Sequence, residues 1–342
     1  MLPGPCGPGP QPAAHGRHST PAYTARMESV TLDALDLRLL HALQLDGRAP
    51  FSKIAAVLDV SDRTVARRFG KLRSAGIARI AGVTNSHRLG HAEWLVRLRV
   101  PPARSTALAG ALAHRPDTAW VAVLSSGTEV GCVFRVAGEG PAPLAELGRL
   151  SYISHIEAHR VLRPVMERRW AGRNLALTDE QIAALTPEAT ADPRPVELTD
   201  LDRRLLPALA ADGRAAYPDL ARRIGWSESA VRRRLHELRH MGVLQLDVEV
   251  DSGLFGYSVQ CMLRLSVVPG SLAHVARALA ADSEAAFVGT MTGSHNLVAV
   301  AVCRDAAALD TYLTERVGAL EGVERLESAL VTGYVKRAAP EG

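Results

Sequence analysis

The sequence predicts an α+β fold in which a helix-turn-helix domain followed by a ferredoxin-like βαββαβ domain occurs twice in tandem. Residues 35–77 align with residues 201–243 at a constant offset of 166, with 19 identities in 43 positions and no gap. Within each copy, apolar residues first recur at helical spacing and then form short runs with the period of strands. We therefore interpret the chain as two copies of one two-domain unit.

The composition fits a protein with several apolar cores. The chain has 342 residues, of which 47% are hydrophobic. At roughly 100 to 200 residues per domain, this length suggests two to four domains. No apolar stretch long enough to span a membrane occurs, and the N-terminus lacks a basic stretch followed by an apolar one. We therefore expect a cytoplasmic protein without a secretory signal.

The net charge and the cysteine spacing bear on the partners and on the metal sites that the chain could have. The formal net charge is +4 and the sequence pI is about 9.0, which is compatible with a nucleic-acid partner without establishing one. The cysteines are far apart and no Cys-x-x-Cys occurs, so we expect neither a disulfide framework nor a zinc site. They are Cys6, Cys132, Cys261 and Cys303.

The expected domain boundaries follow from composition and from the repeat. A leader rich in proline is expected to be disordered, because it has too little apolar surface to offset the entropy of ordering. Between the copies, Thr178 and Gln181 form a capping-box pattern that predicts one short linker helix. The predicted segments are a leader (1–29), helix-turn-helix domain 1 (30–84), ferredoxin-like domain 1 (85–166), a linker (167–197), helix-turn-helix domain 2 (198–250), ferredoxin-like domain 2 (251–337) and a tail (338–342).

Each copy begins with three short helices. In the first copy, the helix that carries regularly spaced leucines ends at Asp46-Gly47-Arg48, and a second short helix covers 54–58. Ser61 is the predicted N-cap of the third helix, and Gly76 ends it. The buried stripe of this third helix consists of Val65, Phe69 and Leu72.

The β-rich halves follow the helices. In the first copy we predict strands at 94–100, 118–124, 130–136 and 156–162, with helices at 105–114 and 144–150. In the second copy we predict strands at 259–267, 286–291, 297–303 and 323–335, with helices at 272–281 and 306–317.

The third helix presents a basic row on the face away from its buried stripe. Arg63, Arg67, Lys71 and Ser74 follow one another at spacings of four, four and three residues. In a helix-turn-helix the last helix lies in the major groove, where Arg binds phosphate or bridges O6 and N7 of guanine. A solvated basic face is the alternative, but the recurrence at a fixed offset favours DNA binding. The predicted DNA contacts are Ser61, Arg63, Thr64, Arg67, Arg68, Lys71, Ser227, Ser229, Arg232 and Arg233.

The same row differs in the second copy. Ser229 replaces Arg63 and Glu237 replaces Lys71, while Arg233 keeps the place of Arg67. A carboxylate facing phosphates is repelled, although Glu can accept a hydrogen bond from cytosine. We therefore expect imperfect half-sites, with the first helix supplying most of the affinity.

These residues resemble a known family. Ser61, Thr64, Val65, Arg68, Phe69, Leu72 and Gly76-Ile77 stand at the spacing of the Lrp/AsnC (feast/famine) transcription regulators, after Leu35-Asp36 and Asp46-Gly47-Arg48-Ala49. The resemblance covers nearly all of residues 30–337, twice over, and implies a fused dimer. One departure is Arg73, with Arg239 in the repeat, where the family usually has Glu. The implied partners are double-stranded promoter DNA at the nucleoid, a small-molecule effector, and further copies of the chain.

The resemblance also implies an effector site at a glycine-containing turn between the second and third strands of the ferredoxin-like domain. Glycine lets a ligand approach backbone N–H groups, which with nearby hydroxyls can receive the carboxylate of an amino acid. A plain hairpin turn that requires glycine is the alternative. The candidate effector residues are Thr292, Gly293, Ser294, His295 and Asn296, with Ser126, Gly127 and Thr128 in the first copy.

Other chemistry is predicted to be absent. His155, Glu157 and His159 share one strand face, and His236 and His240 share one helix turn, but neither pattern is repeated, so we expect no metal and no cofactor. No phosphate-binding loop or nucleophile motif occurs, and we expect no enzymatic activity. The alternative is a siroheme decarboxylase, whose fused chains also resemble this family; His91, His155 and His159 are then the candidates around a tetrapyrrole.

Overall fold

The structure is a computed structural model that describes residues 32–166, 176–187 and 196–337. The predictions for the leader (1–29), for the tail (338–342) and for most of the linker (167–175 and 188–195) lie outside the described residues.

Two trihelical domains form as predicted. The first contains α1 (Ala34–Leu45), α2 (Phe51–Leu58) and α3 (Asp62–Ser74). Ser61 is the N-cap of α3, and its hydroxyl accepts a hydrogen bond of 3.1 Å from the Thr64 backbone N–H, which satisfies a free donor at the helix start. Between the copies, α5 (Asp179–Leu185) packs on α1 and α2. The second domain contains α6 (Asp200–Ala211), α7 (Tyr217–Ile224) and α8 (Glu228–His240).

A two-stranded ribbon joins the trihelical domains, and the sequence analysis did not predict it. Strand β1 (Ala78–Thr84) pairs with β6 (Leu244–Val250) in antiparallel fashion, from Ala78 opposite Val250 to Thr84 opposite Leu244. Because each strand follows the third helix of its own copy, the ribbon ties the two helix-turn-helix domains to each other.

The first ferredoxin-like half contains β2 (His91–Arg99), α4 (Pro102–Ala113), β3 (Thr118–Leu124), β4 (Glu129–Ala137) and β5 (His155–Pro164). The predicted helix at 144–150 is wrong, since only a single 3₁₀ turn forms at Leu147–Arg149. Gly148 lies within this segment, where it costs helix stability, and a segment this short is not stable as a helix by propensity alone.

The second half contains β7 (Val259–Val267), α9 (Leu272–Ala280), β8 (Ala285–Met291), β9 (Leu297–Cys303), α10 (Ala306–Thr311) and β10 (Val323–Lys336). A π-helical turn at Tyr312–Val317 continues α10.

The two β-rich halves close into one barrel with strand order β10-β3-β4-β2-β5-β8-β9-β7. Each copy's last strand pairs with the other copy, β5 with β8 and β10 with β3. The helices cover the outside, and apolar side chains from both copies fill the inside, among them Leu95, Leu124, Met262 and Met291. Cys132, Cys261 and Cys303 are buried free thiols. The predicted fold class is confirmed: α+β, with tandem helix-turn-helix and ferredoxin-like units.

Candidate DNA-binding surface and effector turns

Helix α3 carries three exposed cations on its outer face. Val65, Phe69 and Leu72 are buried against the domain core, so the helical period turns the opposite row to solvent. Arg63, Arg67 and Lys71 in that row are exposed. Within the part of the chain that the structure describes, none of these three side chains forms an ion pair. The row therefore offers three exposed cations to an anionic partner.

Arg68 was predicted to contact DNA, but its side chain lies against the start of α1. Its guanidinium forms ion pairs with Asp33 and, at 3.2 Å, with Asp36, both at the start of α1. The backbone N–H of Asp36 and the Arg68 guanidinium hold the pKa of Asp33 below its usual value. Consecutive helical residues point about 100° apart, so Arg67 faces solvent while Arg68 faces α1. The structure assigns Arg68 to anchoring α3 on α1 and not to the DNA-facing row.

Thr64 and Ser61 lie together at the N-terminus of α3. Their hydroxyl oxygens are 2.9 Å apart, and both belong to the cap of the helix. A helix N-terminus with such donors is suited to a phosphate oxygen.

Helix α8 presents its cations differently. Arg232 pairs with Glu228 at 2.7 Å, and Arg233 lies 3.6 Å from Glu237 on the same helix. Ser229, at the place of Arg63, is exposed, and its hydroxyl oxygen lies 3.2 Å from that of Ser227. The exposed arginines of α8 are thus partly neutralised by carboxylates of their own helix.

The anchoring contact of α3 recurs in α8 in a more buried form. Arg234 donates two hydrogen bonds of 2.8 Å to Asp202, which is 0% exposed. Burial alone would raise the pKa of Asp202, but Arg234 and Thr199 outweigh it and hold that pKa below its usual value. Asp36 with Arg68 and Asp202 with Arg234 stand at the same offset of 166, which is the sequence signal that could have found both pairs.

The predicted effector turn of the second copy lies against the first copy. The Thr292 backbone N–H donates to the Arg160 carbonyl, and the Arg160 N–H donates to the Thr292 hydroxyl, each at 2.9 Å. Gly293 has φ of +105°, and a Cβ there would overlap Nδ1 of His159. Glycine at this place is therefore required by conformation and by the close approach of His159.

The side chain of Asn296 is occupied by the backbone. Its Oδ1 accepts from the Val267 N–H at 2.9 Å, and its Nδ2 donates to the Val267 carbonyl at 2.8 Å. Asn296 thus closes the edge of the turn onto β7. Ser294 is exposed, and His295 is half-buried.

The equivalent turn of the first copy makes the reciprocal contact. The Ser126 N–H donates to the Thr332 hydroxyl at 3.0 Å, so this turn lies against β10 of the second copy. Gly127 has φ of +89°, and a Cβ there would lie 3.1 Å from the Ser105 hydroxyl. The Thr128 hydroxyl donates to the Ser125 carbonyl at 2.8 Å and so stays within the turn. Each candidate turn therefore lies at a seam between the two copies.

A charged cluster that the sequence analysis missed lies between the two β-rich halves. Arg97 donates two bonds of 2.7 Å to Glu129 and contacts Glu327 of the other copy at 2.5 Å. Arg264, which holds the place of Arg97 in the second copy, pairs with Glu157 and Glu327. The sequence signal for this cluster was an arginine between apolar residues in both β2 and β7.

Two acid groups of this cluster, Glu157 and Glu327, are held ionised. Burial alone would raise the pKa of Glu157 and of Glu327, but Arg264 and Arg97 outweigh burial and lower both. Burial and the Arg264 charge also lower the pKa of His295, whose Nε2 lies 3.6 Å from Glu327. The cluster joins the halves through opposite charges.

The histidines that are candidate ligands for a metal or a tetrapyrrole do not form one cluster. His155 and His159 both approach Glu157, with Nε2 to carboxylate distances of 3.3 and 4.0 Å. His91 begins β2, whereas His155 pairs with Arg99 at the far end of that strand. On α8, the rings of His236 and His240 stack at 6.3 Å. Among the described residues, no group of three or more potential ligands is placed to hold a metal ion.

Known protein families match this chain in three places. The AsnC-type helix-turn-helix domain matches residues 32–73 and 198–239, and the Lrp/AsnC ligand binding domain matches residues 260–340. No helix in the described part of the chain is long and apolar enough to cross a membrane.

Two curated relatives, both described as HTH-type transcriptional regulators, each match less than half of this chain. An uncharacterized HTH-type transcriptional regulator of Pyrococcus horikoshii is 28% identical over 144 residues, which are 42% of this chain and 91% of that protein. The HTH-type transcriptional regulator LrpA of the same organism is 27% identical over 143 residues, which are 41% of this chain and 99% of LrpA.

A solved structure shares the fold over nearly the whole length. The siroheme decarboxylase NirDL aligns with a TM-score of 0.61 and 16% identity, covering 90% of this chain and 94% of NirDL. The prediction that this chain is not an enzyme is therefore wrong, because an enzyme has the same fold along both copies. At this identity the likeness concerns the fold alone.

Proposed function

We propose that this chain, which carries two helix-turn-helix domains and a ligand-binding domain of the Lrp/AsnC family, is a sequence-specific DNA-binding transcriptional regulator. The observation that carries the proposal is the exposed row of Arg63, Arg67 and Lys71 on α3, which follows the Ser61 cap and forms no ion pair among the described residues. Cations in this position neutralise phosphates along the groove, and a guanidinium that reaches a base can distinguish guanine.

A single chain supplies two such helices, and we propose that it acts as a fused dimer. The ribbon and the shared barrel support this proposal, since each connects one copy to the other through reciprocal contacts. A two-fold arrangement of recognition helices binds half-sites about one helical turn apart. Further self-association of fused units on chromosomal DNA, at the nucleoid, belongs to the same proposal.

The DNA-binding proposal is tested by mobility shift with fragments recovered from DNA that co-purifies with the protein. Affinity should fall steeply with salt, because neutralised phosphates release counterions. Arg63→Gln with Arg67→Gln should reduce the slope of log K against log salt by about 2, roughly one for each phosphate that is no longer neutralised. The matched control is Arg203→Gln, an exposed arginine that pairs only with Asp200 of its own helix in the described structure. Retardation by the double variant equal to that of the wild type contradicts the assignment.

The proposed effector is a small carboxylate-bearing molecule, most simply an amino acid, held at the turn of Thr292, Gly293 and Ser294 and at its counterpart, Ser126 to Thr128. Both turns combine a positive-φ glycine with hydroxyl side chains at a seam between copies. A ligand there would contact both copies and so couple effector binding to their relative position. Asn296 closes the turn onto β7, and we assign it no ligand contact.

A thermal-shift screen of amino acids tests the effector site. A ligand that binds only the folded chain stabilises it by about 2.7 kcal/mol at one hundred times its Kd. Ser294→Glu should remove the shift, because it places a carboxylate where the ligand carboxylate binds, whereas Thr314→Glu on the exposed surface should leave it. Gly293→Val is a poorer test, since its side chain would displace His159. An unchanged Kd in Ser294→Glu would assign the effector to another place.

The second candidate function is siroheme decarboxylation, and the observation that favours it is the fold shared with NirDL over 90% of this chain. NirDL has also been solved with an iron-uroporphyrin III analogue. Titration of the purified chain with an iron tetrapyrrole, followed by visible absorbance, tests this candidate. A saturable spectral shift would favour the enzyme over the regulator if the wild-type chain also failed to retard any DNA fragment.

A further inference from the structure

The Asp-Gly-Arg segment that ends the first helix in each copy makes contacts that ending a helix does not require. Arg48 reaches into the second copy, where its guanidinium donates to the carbonyls of Gly213 at 2.7 Å and Ala215 at 2.8 Å. Arg214 makes the reciprocal contact with Gly47 at 2.9 Å and Ala49 at 3.1 Å. Each arginine thus holds the equivalent turn of the other helix-turn-helix domain.

Each of these arginines also covers an aromatic ring of the other copy. The Arg48 guanidinium lies 4.5 Å from the Tyr217 ring centroid, and the Arg214 guanidinium lies 4.1 Å from that of Phe51. Tyr217 and Phe51 are the first residues of α7 and α2, the helices that lead into the recognition helices. A planar guanidinium suits this combination of two fixed acceptors and a stacked ring, and a lysine does not.

The other residues of the segment complete the contact. A Cβ on Gly47 would lie 2.8 Å from the Leu246 carbonyl oxygen, and one on Gly213 would lie 2.9 Å from Ile80, so both turns approach the ribbon too closely for a side chain. Asp46 accepts from Arg239 and Asp212 accepts from Arg73, both at 2.7 Å. The arginines at 73 and 239, where the resembled family usually has Glu, are therefore contacts between copies.

Arg214 keeps its charge in this place. Burial and the neighbouring Arg48 lower the pKa of Arg214 to about 10, which leaves it protonated at neutral pH. The charges of Asp46 and Asp212 act on the pKa of Arg214 in the opposite direction and offset part of this lowering.

We infer that Arg48 and Arg214 are positioning residues that hold the two recognition helices at one separation and one angle, so that the chain reads half-sites in a single helical phase. The ribbon joins the strands that follow α3 and α8, and each domain could turn about it. Beside the ribbon, each arginine ties the turn after the first helix of its own copy to the equivalent turn, and to the first residue of the second helix, in the other copy. These reciprocal contacts oppose a rotation of either domain about the ribbon. The DNA part of this inference rests on the proposed function, whereas the fixed separation does not.

The fixed separation is tested without DNA. Spin labels are attached at Ser74→Cys and His240→Cys, which are equivalent exposed positions on α3 and α8, in a chain with Cys6→Ser. The remaining cysteines are buried. The wild-type background should give one narrow distance distribution, and Arg48→Ala with Arg214→Ala should broaden it at least about twofold, as expected when each domain becomes freer to turn about the ribbon. Arg203→Ala is the matched control and should leave the width unchanged.

The helical phase is tested by hydroxyl-radical footprinting on recovered operator DNA. The wild type should protect two segments about one helical turn apart, and the double variant should keep the segment bound by α3 while the second becomes weak and unphased. Should the alanine variant fail to fold, Arg48→Lys with Arg214→Lys retains charge but cannot hold two carbonyls in a fork. A distance distribution of unchanged width, or a variant footprint identical to the wild type, overturns the inference. Absence of any footprint with the wild type refutes the proposed function instead. The distance measurement then tests the fixed separation of the two helices on its own.

Discussion

The two recognition helices of this chain have nearly the same frame but offer different electrostatic surfaces. Both begin at a capping serine, bury an apolar stripe of the same spacing and are anchored by an arginine to an aspartate of the first helix of their domain. On α3 the exposed row of Arg63, Arg67 and Lys71 forms no ion pair with described residues, whereas on α8 Arg232 and Arg233 face Glu228 and Glu237. Packing has thus been kept in both copies while the charges on the exposed faces of the third helices differ, which a covalently joined pair permits and a symmetric homodimer does not.

The largest expected effect separates the two helices by DNA affinity. Arg63→Ala with Arg67→Ala should weaken specific binding by about 2 to 6 kcal/mol, because each arginine that reads a base contributes about 1 to 3 kcal/mol. Ser229→Ala with Arg233→Ala should cost less than about 1 kcal/mol, because the Arg233 charge is already partly neutralised. Mobility shift at constant salt gives both values. Equal losses in the two double variants would break the comparison and indicate symmetric half-sites.

The next effect separates the domains by stability. Arg234→Ala should destabilise the second helix-turn-helix domain by about 3 to 5 kcal/mol, because it leaves the fully buried Asp202 without its cation. Arg68→Ala should cost less, since one of its two partners, Asp33, is 50% exposed at its side chain and can be hydrated. Urea unfolding followed by helical circular dichroism measures both. A larger loss in Arg68→Ala would reverse the order.

The Asp202 pair also gives the stability a defined pH dependence. Because the folded pKa of Asp202 lies below its unfolded value of about 3.9, its contribution is fully present above that value and is lost as pH falls through the folded pKa. Stability near neutral pH should therefore be flat with respect to this group and should fall in acid. Asp202→Asn should flatten the acid limb of a plot of unfolding midpoint against pH. If the unfolding midpoint of that variant falls just as steeply in acid, the loss of stability comes from other carboxylates, such as Glu157 and Glu327.

The smallest effect is a gain of DNA binding by the second helix. Glu237→Gln removes the carboxylate beside Arg233 and leaves Arg234 anchored by Asp202, so that Arg233 becomes available to phosphate. Affinity should rise by about 0.3 to 1 kcal/mol, with a salt slope steeper by up to about 1. Asp219→Asn, which frees Arg222 of α7 from an ion pair outside the recognition helix, is the control. A loss of affinity in Glu237→Gln would mean that Glu237 contacts a base directly.

Several features of the fold were accessible from the sequence because they depend on residues near one another in the chain. The repeat, the serine caps of α3 and α8, the apolar stripe of Val65, Phe69 and Leu72 and the strand runs all follow from local periodicity and capping chemistry. The failed helix at 144–150 shows the limit of that approach, since its apolar spacing was acceptable but Gly148 and the shortness of the segment decided the outcome.

The contacts between copies could not be obtained in this way. The sequence placed Arg68 among the DNA contacts, and only the position of α1 directs it to Asp33 and Asp36. It assigned the Asp46-Gly47-Arg48 segment to the end of a helix, whereas the folded chain uses it to hold the other copy. The sharing of β5 and β10 across the barrel was equally out of reach.

The sequence by itself therefore determined which elements form and which helix faces are polar, because backbone propensity and side-chain period act over a few residues. Only the tertiary structure decided which arginines remain free for DNA, which anchor a helix and which join the two copies. The physical reason is that a guanidinium binds any carboxylate or carbonyl within its reach, and those partners are brought near by chain segments as many as 230 residues away, as in Arg97 and Glu327.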